Sequence, residues 1–126
     1  MQVMIFGAKS IALGVLRALQ ELYTDFEAVG FLVTGKSGNP ETLGGLPVFE
    51  LDQFGDKKIC ILIATPEDTH HAIVNALEER GFHNHICIDS EREAKLMGRY
   101  YQATGMFRPL REESAAEAKR CLQVTE

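Results

Sequence analysis

The sequence predicts an α/β domain built on a doubly wound parallel sheet of about five strands in the order 3-2-1-4-5, followed by C-terminal helices. Three observations carry this. An apolar run over residues 3–6 halts at Gly7-Ala8-Lys9-Ser10 and gives way to apolar residues at helical spacing. The stretch Ile59, Cys60, Ile61, Leu62 and Ile63 shows no polar alternation, as expected of a parallel strand covered on both faces. Strand-like and helix-like segments then alternate with short connections, which places a ligand crevice at the C-terminal ends of the strands.

The elements follow in order. Gln2 to Phe6 reads as a buried strand, and Ile11, Val15, Ala18, Leu19 and Leu22 form one face of a helix whose other side carries Arg17, Gln20 and Glu21. Residues 28–34 form a second strand, closed by the breaker-rich Gly35-Lys36-Ser37-Gly38-Asn39-Pro40. Gly44-Gly45-Leu46-Pro47-Val48-Phe49 reads as a turn into a very short third strand, with a helical turn over residues 51–54. Residues 58–64 give the fourth strand. Thr65-Pro66-Glu67-Asp68 then predicts a helix start with a hydroxyl cap, proline at the first helical position and an acid three residues after the cap. Ile73, Val74, Leu77 and a closing Gly81 complete that helix. Residues 85–88 form a fifth strand, and Ser90-x-x-Glu93 predicts the cap of a helix running to about Tyr101. Beyond Gly105 the pattern breaks, so residues 1–105 are expected to form the nucleotide-binding domain and 106–126 a C-terminal arm or linker helix, with Ser114-x-x-Glu117 as its cap.

At 126 residues the chain has room for one core. A net charge of -5, with only the isolated pairs Lys57-Lys58 and Lys119-Arg120, argues against a nucleic-acid partner. No run has the length of a membrane span and the N-terminus lacks the parts of a signal peptide, so a cytoplasmic location is expected. Cys60, Cys87 and Cys121 are odd in number and far apart, which points to small buried hydrophobes, neither disulfides nor a metal set. His70, His71, His83 and His85 do not form a metal set either, because His83 falls in the turn after the helix.

Two segments carry the chemistry. The Gly7 turn aims backbone N–H groups and a helix N-terminus at whatever lies above the first strand, and Lys9 adds positive charge, an arrangement suited to phosphate. Against the dinucleotide fingerprint, Gly7 fills the first glycine position and Ala12 the third, while Lys9 stands at the second. The acid that would hold ribose hydroxyls at the end of the second strand is absent; that place reads Val33-Thr34-Gly35-Lys36, where Lys36 suits the extra phosphate of NADP or coenzyme A. Gly30 to Ser37 matches the pattern G-x-x-x-x-G-K-S, but its middle residues are strand formers and Pro40 follows where a helix would begin, so it reads as a chance match. The second segment is Thr65-Pro66-Glu67-Asp68-Thr69-His70-His71 at the end of the fourth strand. There the Thr65 and Thr69 hydroxyls are expected to donate to a ligand, and His70 is a candidate acid or base. No Ser-His-Asp or Cys-His set can be read, and no catalytic residue is assigned.

Ile5-Phe6-Gly7-Ala8, Val29-Gly30-Phe31-Leu32, Gly44-Gly45-Leu46-Pro47-Val48 and Ile61-Leu62-Ile63-Ala64 together resemble the N-terminal Rossmann-like domain of bacterial polysaccharide-biosynthesis enzymes. Such domains precede sugar acyltransferases, nucleotide-sugar dehydratases and capsule-type glycosyltransferases. The resemblance implies a nucleotide or nucleotide-sugar binding module, the N-terminal part of a glycosyltransferase-like transferase. Gly7, Ala8, Lys9 and Ser10 would contact phosphate, Thr34 and Lys36 would lie at the end of the second strand, and Thr65, Pro66 and Thr69 would line the opposite wall. Residues 63–70 are also similar to the fourth-strand motif of glucose-fructose oxidoreductase-like dehydrogenases, which keeps an NAD(P)-dependent oxidoreductase domain as an alternative. Ile88-Asp89-Ser90 stands where those enzymes carry their catalytic lysine motif. A third alternative is a degenerate scaffold whose apolar Tyr100, Tyr101, Met106, Phe107 and Leu110 support a homodimer.

Overall fold

The computed structural model describes residues 1–35 and 38–105. Lys36, Ser37, the expected arm over 106–126 and Cys121 lie outside the described residues, as do Met106, Phe107 and Leu110. Six strands, β1 (Gln2–Phe6), β2 (Glu27–Val33), β3 (Thr42–Leu43), β4 (Leu46–Glu50), β5 (Cys60–Ile63) and β6 (His85–Cys87), alternate with α1 (Ser10–Leu22), α2 (His70–Glu79) and α3 (Ser90–Thr104). Two 3-10 turns, Leu51–Gln53 and Glu67–Thr69, complete the described elements.

The strands join in one six-stranded sheet of order β3-β4-β2-β1-β5-β6. Every pairing is parallel except β3 with β4. The expected five-stranded, wholly parallel sheet of order 3-2-1-4-5 is therefore corrected to a mixed sheet whose first member, β3, had no place in that order. Thr42 pairs with Pro47 and Leu43 with Leu46, joined by Gly44 and Gly45 at φ +57° and +82°. Positive φ at both central residues is what a two-residue hairpin that matches strand twist demands. A strand of two residues has no hydrophobic period to betray it in sequence, so only its turn was legible.

The sheet is covered on both faces. On one, Val3, Ile5, Phe31, Val48, Cys60 and Leu62 pack with Ala12, Val15, Leu16 and Leu19 of α1, and with Leu96 of α3. On the other, Met4, Phe6, Leu32, Ile61 and Ile63 pack with Ile73 and Leu77 of α2 and with Leu51 and Phe82. This explains the unbroken apolar runs of β1 and β5, since side chains alternate between two dry faces. In β2 the register slips by one: Val3 pairs with Ala28 but Met4 with Gly30, leaving Val29 as the extra residue of a bulge. Ala28 and Phe31 consequently belong to the same face although three residues apart.

Helix ends follow local chemistry. Gly81, at φ +86°, closes α2 while the Phe82 N–H donates to the Leu77 carbonyl at 2.9 Å, the expected glycine stop. The start of α3 departs from expectation by one residue. Asp89 is the cap, its Oδ1 accepting from the Arg92 N–H at 2.8 Å, whereas the Ser90 hydroxyl donates to Glu67 Oε2 at 3.0 Å. Among the described residues no helix is long and apolar enough to cross a membrane.

Candidate functional site

β1 is buried from Val3 onward, and its chain turns at Gly7 to enter α1. Gly7 adopts φ +127°. A Cβ there would stand 2.7 Å from the Ala64 carbonyl oxygen and 3.2 Å from Thr65 Cγ2, so the turn and the end of β5 approach too closely to leave room for a side chain. Two hydrogen bonds hold the junction: the Gly7 N–H donates to the Leu32 carbonyl at 2.8 Å and the Ala64 N–H to the Phe6 carbonyl at 2.9 Å. Lys9 is the residue before α1; its side chain makes no cap bond and the first turn holds no acid. The first amides of α1 therefore present partial positive charge with no carboxylate of that turn against it.

The opposite wall comes from the chain leaving β5. Its expected geometry is corrected: α2 begins at His70, after the 3-10 turn Glu67–Thr69, and neither carries a side-chain cap bond. The Thr65 hydroxyl instead lies 2.8 Å from the Thr69 hydroxyl, and the Thr69 hydroxyl donates to the Pro66 carbonyl at 2.6 Å. His70 is only 7% exposed, and its Nε2–H donates to the Thr65 carbonyl at 2.8 Å. A carbonyl can only accept, which fixes the tautomer of that ring. His70 does not line the cleft, so the candidate acid or base is a buried brace of the Thr65 turn.

Between the walls lies a cleft of about 640 Å³, lined on one side by Gly7, Ala8, Lys9, Ser10 and Ile11 and on the other by Thr65, Pro66 and Thr69. Val33, Thr34 and Asn39 close it beyond β2, and Ala72, Ile73 and Ala76 of α2 form its floor. The structure thus brings together the expected ligand-contacting residues Gly7, Ala8, Lys9, Ser10, Thr34, Thr65, Pro66 and Thr69, but not His70; Lys36 lies outside the described residues. Lys9 is the sole charged side chain among the described lining residues, in a chain of net charge -5. Sequence reasoning missed Asn39, whose Nδ2 donates to the Gly35 carbonyl at 2.7 Å, and the floor. The small residues Ala72 and Ala76, one helical turn apart, were the signal for the latter. Thr34 directly follows β2 where a dinucleotide site would place its acid.

Remote from the cleft, the Glu78 carboxylate sits between His83 and His85, bonded to His83 Nδ1 and 3.5 Å from His85 Nε2. Hydrogen bonding from His83 holds the Glu78 carboxyl below its ordinary range. Burial pushes the Cys60 and Cys87 thiols up, which suits packing more than nucleophilic chemistry. No group of three metal-ligating side chains capable of holding an ion is found among the described residues.

Fold and cleft together define an α/β domain with a glycine turn and a helix N-terminus opposed across the strand ends of β1 and β5. No protein-family model and no curated protein matches the chain.

Proposed function

We propose that this chain binds a phosphate-bearing small molecule, a nucleotide or nucleotide-sugar, as the N-terminal module of a glycosyltransferase-like enzyme of polysaccharide biosynthesis in the cytoplasm. The observation that carries the binding reading is the cleft itself. It is large enough for a nucleotide, it opens on the uncapped start of α1, and among the described lining residues Lys9 supplies the side-chain charge. Such a helix start favours anions through its free N–H groups and its dipole. The glycan-biosynthesis context rests on the sequence resemblance. Nicotinamide cofactors are disfavoured because Thr34 and Gly35 follow β2 without an acid for the ribose hydroxyls.

The test is a thermal-shift panel of NAD, NADP, coenzyme A, UDP, GDP, CMP and their common sugar conjugates at millimolar concentration. A ligand at a hundredfold its dissociation constant stabilises by about 2.7 kcal/mol, a rise of several degrees for a domain of this size. A shift with the uridine, guanosine or cytidine class supports the proposal, a shift confined to NAD or NADP favours the oxidoreductase alternative, and a flat panel overturns both.

A second reading, association with another copy, draws on a separate observation. Met1, Phe26 and Ile86, exposed by 65%, 37% and 42%, rim an apolar groove of about 390 Å³ between α1, β6 and α3. Exposed apolar side chains gathered in one place mark interfaces more often than chance. A monomer in light scattering at high concentration would remove this reading.

A further inference from the structure

Thr65 and Thr69 both line the cleft, and the positions of their hydroxyl protons can be deduced. Thr69 Oγ1 stands 2.6 Å from the Pro66 carbonyl oxygen. That oxygen carries lone pairs only, so an attractive contact at this distance requires the Thr69 proton between the two atoms. A hydroxyl has one proton. Toward Thr65 Oγ1, 2.8 Å away, Thr69 is left able only to accept, and Thr65 must donate. Donation therefore runs from Thr65 to Thr69 to the Pro66 carbonyl. The Thr65 carbonyl is also occupied, by the buried His70 ring at 2.8 Å, which pins the turn that carries the relay. The expectation that these hydroxyls donate to a ligand is thereby reversed: what Thr65 has left for the cleft is oxygen lone pairs.

We propose that Thr65 is a specificity-determining residue that accepts a hydrogen bond from a ligand hydroxyl, so that the cleft selects a phosphate esterified to a polyol over the bare anion. This rests on the phosphate-binding reading above. The two walls differ in polarity. The first amides of α1 and the Lys9 ammonium can only donate, with the Ser10 hydroxyl beside them able to do either, and an anionic oxygen brought to Thr65 would meet lone pairs and be repelled. A ligand with an anion at one end and a hydroxyl at the other satisfies both walls in one orientation. Turned end for end, it loses the bond to Thr65 and sets its anion against lone pairs.

The experiment is calorimetric titration of the whole chain with inorganic pyrophosphate and with three polyol esters of pyrophosphate, namely UDP-glucose, GDP-mannose and NAD. The wild type should bind at least one ester more tightly than pyrophosphate. Thr65→Val should weaken that ester by about three- to tenfold, the worth of one neutral hydrogen bond, and leave pyrophosphate unchanged. Thr65→Ser, which keeps the hydroxyl, should restore the ester. Thr69→Val releases the Thr65 proton, so it should tighten pyrophosphate and narrow the gap between the two ligands, an effect that a purely structural role for the relay does not produce. If Thr65→Val weakens pyrophosphate as much as the ester, leaves every ligand unchanged, or if no ester exceeds pyrophosphate in the wild type, the selection by Thr65 is overturned while the anion cleft stands. A wild type that binds neither pyrophosphate nor any ester overturns both.

Discussion

Replacing Gly7 by alanine tests the junction on which the cleft depends. At φ +127° an L-residue is strained by about 1–2 kcal/mol. The added methyl carbon would also stand 2.7 Å from the Ala64 carbonyl oxygen. That atom is backbone at the end of β5, where the Ala64 N–H is bonded to Phe6 at 2.9 Å, so relief requires prising β1 and β5 apart; overpacking of this kind costs a further 1–3 kcal/mol or so. The total, about 2–5 kcal/mol, corresponds to a fall in melting temperature of roughly 10–20 °C for a domain of this size. Gly81→Ala is the matched control. Its φ is +86°, yet nothing lies within 4 Å of the new methyl, so only the strain of about 1–2 kcal/mol applies. Urea denaturation of both variants separates the two contributions. If Gly7→Ala proves no more destabilising than Gly81→Ala, the close approach of the two strand ends does not govern this turn, and the cleft geometry derived from it is wrong.

Gly14→Ala should have the opposite sign. A methyl there meets Met97 at 3.6 Å, an ordinary contact, so the gain in helix propensity, about 0.5–1 kcal/mol, is retained and the denaturation midpoint rises. Lys9→Glu should abolish the thermal shift given by phosphate ligands while moving the unliganded melting temperature by no more than about 2 °C, as for an exposed surface substitution; unchanged ligand shifts would remove Lys9 from the site. Glu78→Gln should destabilise in a pH-dependent way. Because the folded carboxyl is held below its ordinary range by His83, its contribution is present above the unfolded pKa and disappears as pH falls through the lower folded one. Wild type and variant should therefore converge in acid, and a stability gap that persists or widens there would refute the assignment.

How much of the fold was legible in the sequence depended on whether a signal repeated along the chain. β1, α1, β2, β5 and α2 each bury several residues, and burial imposes a period that the residues themselves display. The glycine turn and its neighbours were legible for a related reason, since a strand-to-helix change at Gly7 leaves few geometries open. β3 has two residues and no period. The caps failed on a finer scale: Asp89 and Ser90 are adjacent and both are good cap residues, and choosing between them needs the reach of Glu67 toward Ser90. A histidine next to an exposed His71 looks solvent-facing, whereas the burial of His70 is fixed by the turn at Thr65. Its role comes from a backbone carbonyl, which no residue identity reveals.

The bulge in β2 has a bearing on how the length of this chain can vary. Losing one residue from a regular strand sends every side chain beyond the loss to the opposite face. In β2 such a flip is already built in at Val29, between Ala28 and Gly30. Excising Val29 would let Ala28 and Gly30 follow Val3 and Met4 in unbroken step, with Phe31 and Leu32 still facing the layers they occupy now. The strand thus carries one spare residue, and a deletion that would scramble β1 or β5 is one that β2 can absorb at that single position.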